Sequence, residues 1–286
     1  MRARTSPWVF LAPALATIGV FKFWPTVWGA YLSFFDVRPY LGNQWTGTAN
    51  FRQVMTDPAL RSAFAHTAID TVGLVCASMA LGFALALLLE GPALHLRVIR
   101  TAVFLPVVTA MVVVAELWGT LLFPGPSGSV NGLLGHVGLG PFPFLSSPHS
   151  ALASVMLVQV WKAAPYDMLI YLAGLAGIDR HLYEAAALDG ANAWNRLRHV
   201  TVAQLRPVTT IVIVLGTIQG LRVFTEVYVL TGGGPAGATQ TPVTYAYQTG
   251  VAGNDLGYAC AISTLLLLTT VAVTCLVRWW RRHVET

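Results

Sequence analysis

Charge is what this sequence has least of. Only 10% of its 286 residues are Asp, Glu, Lys or Arg, and 55% are hydrophobic. A soluble domain carries about 25% charge, so an ordinary soluble core is excluded. Lysine is nearly missing. Lys22 and Lys162 follow Phe21 and Trp161, so no Gly-Lys-Ser/Thr segment cradles phosphates. Any ATP and Mg chemistry would belong to another polypeptide, and no cofactor is expected in this chain. The 3 cysteines, Cys76, Cys260 and Cys275, stand alone in apolar runs without CxxC spacing. They read as small hydrophobes rather than ligands or disulfide partners, and no metal is expected. His66, His95, His136, His149, His181, His199 and His283 are scattered over loops and ends, with no HExxH or GxSxG. A membrane enzyme therefore lacks a catalytic constellation. No basic block interleaved with aromatics is present, which argues against nucleic acid as a partner.

Apolar runs of membrane-crossing length are what the sequence does have. No dyad alternation marks a β-barrel. The reading is a single all-α polytopic domain over 1–286 with six spans, at about 8–35, 67–89, 100–123, 151–174, 208–230 and 257–279. Arg2 and Arg4, then Ala14-Leu15-Ala16, imitate a signal peptide, but the apolar stretch runs on to Phe35 and is read as a retained first span. Pro13 and Pro25 are expected kinks. Arginines favour one side: Arg2 and Arg4, Arg97 and Arg100, Arg180, Arg196, Arg198 and Arg206, then Arg278, Arg281 and Arg282. The other side has Arg38, Arg52 and Arg61, no charge in 124–150, and Asp255 alone in 231–256. Both termini and loop 175–207 are therefore placed in the cytoplasm of an inner-membrane protein.

Outside, 47–66 predicts a short surface helix with a break at Asp57-Pro58. Residues 124–149 predict an irregular cap, and the glycines at 232–234 a loop. Inside, Asp179 is a candidate N-cap for a helix over 180–188, and Gly190 its left-handed stop. A second helix from about 191 carries Trp194, Leu197 and Val200 as an apolar stripe and runs into the fifth span, where Pro207 marks the start of the membrane helix. A polar helical hairpin kept in water between two apolar runs reads as a lever for a soluble partner.

Ionisable groups inside spans are functional candidates by default. They are Lys22, Asp70, Glu116, Lys162, Asp167, Arg222 and Glu226, with Asp70 read as interfacial near a helix end. Gln159, Lys162, Ala163 and Tyr166 share one face of the fourth span, and Gln219, Arg222 and Glu226 one face of the fifth. Gly216 and Gly220 form a GxxxG pair. Each set has two readings. The polar groups line a substrate path, or they pair internally: Arg222 with Glu226, and Lys162 with Asp167 or with another subunit. The glycines admit a ligand, or they pack helices.

The lever residues Glu184, Ala185, Ala186, Asp189, Gly190, Ala191, Val200, Val202 and Pro207 resemble the EAA loop of permease subunits of ABC importers. Ala203 departs from that pattern, which usually has proline there. The GTANF segment with Asp57-Pro58, FLP at 104–106, Trp118, LTGGGP at 230–235 and YACAIS at 258–263 resemble the carbohydrate-importing branch. The resemblance implies the type I importer permease fold, with Glu184, Ala185, Ala186, Asp189, Gly190 and Ala191 coupling to a cytoplasmic ATPase. It also implies a substrate path on the spans flanking the loop, through Gln159, Lys162, Ala163, Tyr166, Gly216, Gln219, Gly220 and Arg222. The implied partners are two ATPase subunits, a second permease forming a heterodimer, an extracytoplasmic substrate-binding protein and the lipid bilayer. The implied cargo is a sugar or oligosaccharide, with glycerol 3-phosphate or another polyol as runner-up. A self-contained secondary transporter is the rival; it needs repeats and paired discontinuous spans, and neither is seen in the sequence.

Overall fold

The computed structural model describes residues 6–38 and 42–285, with side chains from 8 to 279. The expectations resting on Arg2 and Arg4, and on the Arg281 and Arg282 side chains, lie outside the described residues. The helices run in order α1 Ser6–Ile18, α2 Trp24–Leu32, α3 Ala49–Thr56, α4 Pro58–Leu88, α5 Leu94–Val108, α6 Met111–Leu121, α7 Ser129–His136 and α8 Ala151–Ala176. They continue with α9 Arg180–Leu188, α10 Ala193–Arg196, α11 Val202–Gln204, α12 Arg206–Leu221, α13 Thr225–Leu230, α14 Pro242–Tyr247 and α15 Leu256–Glu285. A two-stranded antiparallel hairpin pairs Phe35 with Trp45 and Asp36 with Gln44.

Among the described residues, three helical stretches are long and apolar enough to cross a membrane: Trp8–Leu32, Pro58–Leu88 and Leu256–Trp279. Two bent pairs pass together, α5 with α6 at 97°, and Ala193–Gln204 with α12 at 63°. Helix α8 is long enough for a span, about 39 Å at 1.5 Å per residue, but Gln159, Lys162 and Asp167 dilute its apolar character.

Pro13 lies inside α1 without ending it, and Pro25 lies in the first turn of α2. A π-turn, Gly19–Phe23, joins α1 to α2, and the Trp24 amide donates to the Gly19 carbonyl five residues back. One widened turn just before Pro25 gives the ring room against the preceding turn.

Four sequence boundaries need correction. The second span begins at Pro58 rather than 67, because the chain starts a new helix directly at the Asp57-Pro58 break. Asp70 therefore lies well inside a 31-residue helix rather than near its end, and it is 1% exposed. The third span is not one helix. Pro106 brings no amide to the last turn of α5, and Thr109 and Ala110 are extended, with ψ of 137° and 136°. The fifth span stops at Leu221, leaves helical geometry through Phe224 (φ −138°, ψ −62°) and restarts as α13. The helix from 191 also fails to run on smoothly: a π-turn, Leu197–Thr201, and the break at Leu205 precede α12. Pro207 does lie in the first turn of α12. Residues 124–149 are not irregular throughout, since α7 forms there. Asn131 fastens this segment: its Nδ2 donates to the Phe142 carbonyl at 3.0 Å, and its Oδ1 accepts from the Phe142 amide at 2.8 Å.

The chain divides into two compact units, residues 1–61 with 245–269, and 62–244 with 270–286. In the second unit the core gathers Ala86 and Leu89 of α4, Met168, Tyr171 and Leu175 of α8, and Leu205 and Val212 around α12. Small residues set the helix spacing. A Cβ on Gly82 would lie 2.6 Å from Asp167 Cβ and 2.9 Å from the Ala164 carbonyl oxygen; one on Gly220 would lie 2.9 Å from Thr71 Cα.

In the first unit Asn50 Nδ2 donates to the Ser33 and Phe35 carbonyls at 2.9 and 3.0 Å. Asp57 closes the same unit. Its Oδ1 accepts from the Ala59 amide at 2.8 Å, and its Oδ2 accepts the Tyr245 and Tyr258 hydroxyls at 2.7 and 2.6 Å. Burial pushes the Asp57 carboxyl up, but the two tyrosine hydroxyls and the Leu60 and Ala59 amides together hold it below its usual value. Burial and the same carboxylate push the Tyr245 hydroxyl up to about 12. A depressed carboxylate contributes stability that is present above its unfolded pKa and is lost as pH falls through the folded one. Asp57→Ala strands both hydroxyls and is expected to cost about 1.5–3 kcal/mol. Thermal unfolding in detergent checks this: the gap between wild type and variant should be constant at neutral pH and narrow only below about pH 4.

Candidate functional site

The hairpin over 179–205 forms largely as its residues predict. Asp179 Oδ1 accepts the His181 amide at 3.0 Å, which caps α9 at its expected start. At the other end Gly190 takes φ 76°, and the Ala191 amide donates to the Ala186 carbonyl at 2.9 Å. A glycine is needed there because a Cβ disfavours left-handed backbone. Asn192 then caps α10 through the Asn195 amide at 2.9 Å. Tyr183 ties α9 back to Thr201, hydroxyl to hydroxyl, at 2.9 Å. The outward face carries Glu184, Ala185, Asp189 and Gly190, all exposed, and Glu184 Oε2 lies 3.2 Å from His181 Nδ1. Ala186 and Ala191 are half-buried. Leu188 is 90% exposed and Trp194 66%. Two large apolar side chains in the open on the hairpin that carries the Glu184 carboxylate make a surface suited to a protein partner.

The polar residues within the spans separate into two groups. Gln159 is 1% exposed, and its Nε2 donates to both carboxylate oxygens of Asp70 at 3.0 Å. Its amide is spent on α4 rather than turned toward open space. Asp167 accepts from Ser78 and does not pair with Lys162; five residues apart on one helix, the two point to different sides. Lys162 Nζ donates to the Thr109 carbonyl and, at 3.4 Å, to the Pro106 carbonyl. Gly216 and Gly220 face α4, where added Cβ atoms would meet Val75 Cγ2 at 3.0 Å and Thr71 Cα at 2.9 Å. They serve packing here.

The second group is open. Leu215, Ile218, Gln219, Arg222, Phe224 and Glu226 line a cavity of about 320 Å³. Gln219 and Arg222 are exposed in it, and no ion pair among the described residues joins Arg222 to Glu226. The expected pairing assumed one continuous helix, and the break at 222–224 removes it. Tyr166 is 47% exposed and Ala163 half-buried on α8. The sequence reading missed the partner of Gln159 and the meeting of Asp57 with Tyr245 and Tyr258. The Asp57-Pro58 and YACAIS segments were each visible, but nothing local joins positions 188 and 201 residues apart.

Residues 69–286 match the family described as binding-protein-dependent transport system inner membrane component. The chain is 33% identical over 267 residues to the lactose transport system permease protein of Rhizobium radiobacter, covering 91% of this chain and 89% of that one. It is 32% identical over 272 residues to the trehalose/maltose transport system permease protein of Thermococcus litoralis, covering 93% and 90%. A crystal structure of a bacterial ABC transporter involved in import of the acidic polysaccharide alginate matches in fold, with TM-score 0.85, 24% identity, and coverage of 98% of this chain and 96% of that one.

Proposed function

The chain belongs to the family of binding-protein-dependent transport system inner membrane components, and from that premise we propose that it is the permease subunit of an ATP-driven importer of a sugar or oligosaccharide. The likeness to lactose and trehalose/maltose permeases supports the cargo class. The observation that carries the coupling reading is the exposed lever: Glu184 and an open Leu188 on a helix held by its own caps, with Trp194 open on the short helix that follows. A soluble ATPase, holding ATP and Mg, grips α9 and drives alternating access. A second permease completes a heterodimer over two ATPase subunits, and an extracytoplasmic binding protein delivers the sugar. The chain acts as one domain with six spans, the bent pairs and α8 counted with the three long helices, and with both termini in the cytoplasm. It performs no catalysis itself.

Along the path, the roles proposed from the spacing narrow to the exposed groups. Tyr166 offers a ring face to sugar C–H groups, and Gln219 and Arg222 offer donors to hydroxyls. Gln159, Lys162, Gly216 and Gly220 support the walls. The glycerol 3-phosphate reading draws on Arg222 alone, because Lys162 is engaged by carbonyls. Arg222→Ala is expected to slow sugar uptake and to leave the preference for neutral over phosphorylated substrates unchanged. Competition of labelled sugar by glycerol 3-phosphate, before and after the substitution, checks it.

Affinity purification from the native membrane in mild detergent tests the assembly. Co-elution of an ATPase and a second permease with its own such loop is the expected result. Recovery of this chain alone, moving sugar in vesicles without ATP, would replace the reading with a secondary transporter.

A further inference from the structure

We propose that Lys162 is a positioning residue that fastens the bend of the third span to α8, the helix that leads into the lever. The spacing on α8 reads Lys162 as a substrate contact or an ion-pair partner. Its contacts differ from both. The ammonium donates to the carbonyls of Pro106 and Thr109, at the C-terminal end of α5. A helix leaves its last carbonyls without partners, and they carry partial negative charge. Inside a membrane no water is at hand to satisfy them. The Pro106 carbonyl also accepts the Thr109 amide at 3.3 Å, so the lysine adds a second donor there and meets the Thr109 carbonyl beyond the helix end. One lysine thus answers two costs, its own charge in an apolar segment and the end of a broken helix.

The neighbouring residue engages the other half of the bend. Trp161 meets Trp118 of α6 edge-on, with ring centroids 5.6 Å apart and planes at 72°. Consecutive side chains of α8 therefore hold both arms of a 97° bend, Lys162 the end of α5 and Trp161 the body of α6. From Lys162, α8 runs unbroken to Ala176, and only residues 177–179 separate it from α9. A displacement of α9 passed along α8 reaches the bend at this pair. Glu226 acts on Lys162 electrostatically but forms no ion pair with it among the described residues. The carbonyls are the contacts that fix its place.

The consequence for uptake rests on the permease reading; the geometry does not. The test uses the importer complex as it co-purifies, with Cys76, Cys260 and Cys275 replaced and spin labels at Val98 of α5 and Val113 of α6. Lys162→Met is expected to shift or broaden the distance between the labels. In vesicles it should lower the maximal sugar uptake rate by about tenfold or more while KM stays within about twofold. Lys162→Arg, which can still donate to two carbonyls, is expected to restore both. If Lys162→Met does not accumulate, Lys162→Gln takes its place, with the same direction expected. An unchanged distance overturns the proposal whatever happens to uptake. A raised KM at an unchanged maximal rate also overturns it, in favour of substrate contact. If the wild-type complex moves no sugar, the permease reading fails, and the distance measurement alone decides the role of Lys162.

Discussion

Leucine at position 82 is expected to leave almost no folded protein in the membrane. Gly82 lies where α4 crosses α8. The nearest atoms to an added Cβ are Asp167 Cβ at 2.6 Å, the Ala164 carbonyl oxygen at 2.9 Å and the Met168 amide nitrogen at 3.0 Å. Two of these are backbone atoms, which cannot rotate away. Overpacking in a core costs about 1–3 kcal/mol when side chains can shift. Here the helices must part, and the packing of Ala86 on Met168 and Tyr171 goes with them. The Gln159–Asp70 bonds between the same two helices go too. A buried carboxylate left without its partner is a heavy loss in its own right. The total is expected to exceed about 4 kcal/mol, against a typical folding stability of about 5–15. Size-exclusion chromatography of detergent extracts checks it: Gly82→Leu should give aggregate or no peak, and Gly82→Ala a reduced one. Gly216→Ala should be mild, because the closest atom there is the single Val75 Cγ2 at 3.0 Å. A monodisperse Gly82→Leu protein with wild-type melting would mean that α4 and α8 do not cross at this point.

Glu184→Arg is expected to release the soluble partner while leaving this chain folded. Glu184 is exposed, and it meets His181 at 3.2 Å on the same helix. Exposed pairs of this kind contribute about 0–1 kcal/mol, so the fold loses little. Against a docked ATPase the effect differs. Reversing a charge at the centre of an interface leaves the opposing group unpaired and repelled, at about 2–5 kcal/mol. That corresponds to a roughly 30- to 5,000-fold weaker complex. Pull-down of the ATPase on the tagged variant, beside its melting temperature, separates the two effects. Gly190→Ala is the control for shape. Nothing lies within 4 Å of a Cβ there, so its cost is the left-handed backbone alone, about 1–2 kcal/mol. Normal ATPase recovery with Glu184→Arg would remove the docking role from this face.

The lever was legible because its signals are local. An Asp cap, alanines and a glycine stop lie within a dozen residues, and α9 begins and ends where they place it. Apolar runs likewise located the long helices. The breaks in the third and fifth spans were not legible in the same way. A continuous apolar run is compatible with a bent helix as well as a straight one, and the carbonyls of Pro106 and Thr109 at the break are met by a lysine more than fifty residues on. The pairing of Arg222 with Glu226 failed for that reason, since i,i+4 logic holds only along an intact helix, whereas Lys162 and Asp167 share the intact α8 and point to different sides of it. The breaks also weaken one argument against a secondary transporter, because discontinuous helices are present after all. Family membership now argues against it better than the lack of breaks did.

The bend at Thr109 bears on how the protein is made. The 15 residues of α5 reach about 22 Å, short of the roughly 30 Å of a hydrocarbon core. When this segment leaves the ribosome, its frayed end has no lysine to meet, because Lys162 is still 53 residues from being synthesised. The contacts that fasten the two arms of this bend to α8 can therefore form only after α8 has been made, so the bend is completed late in synthesis rather than as its own residues emerge.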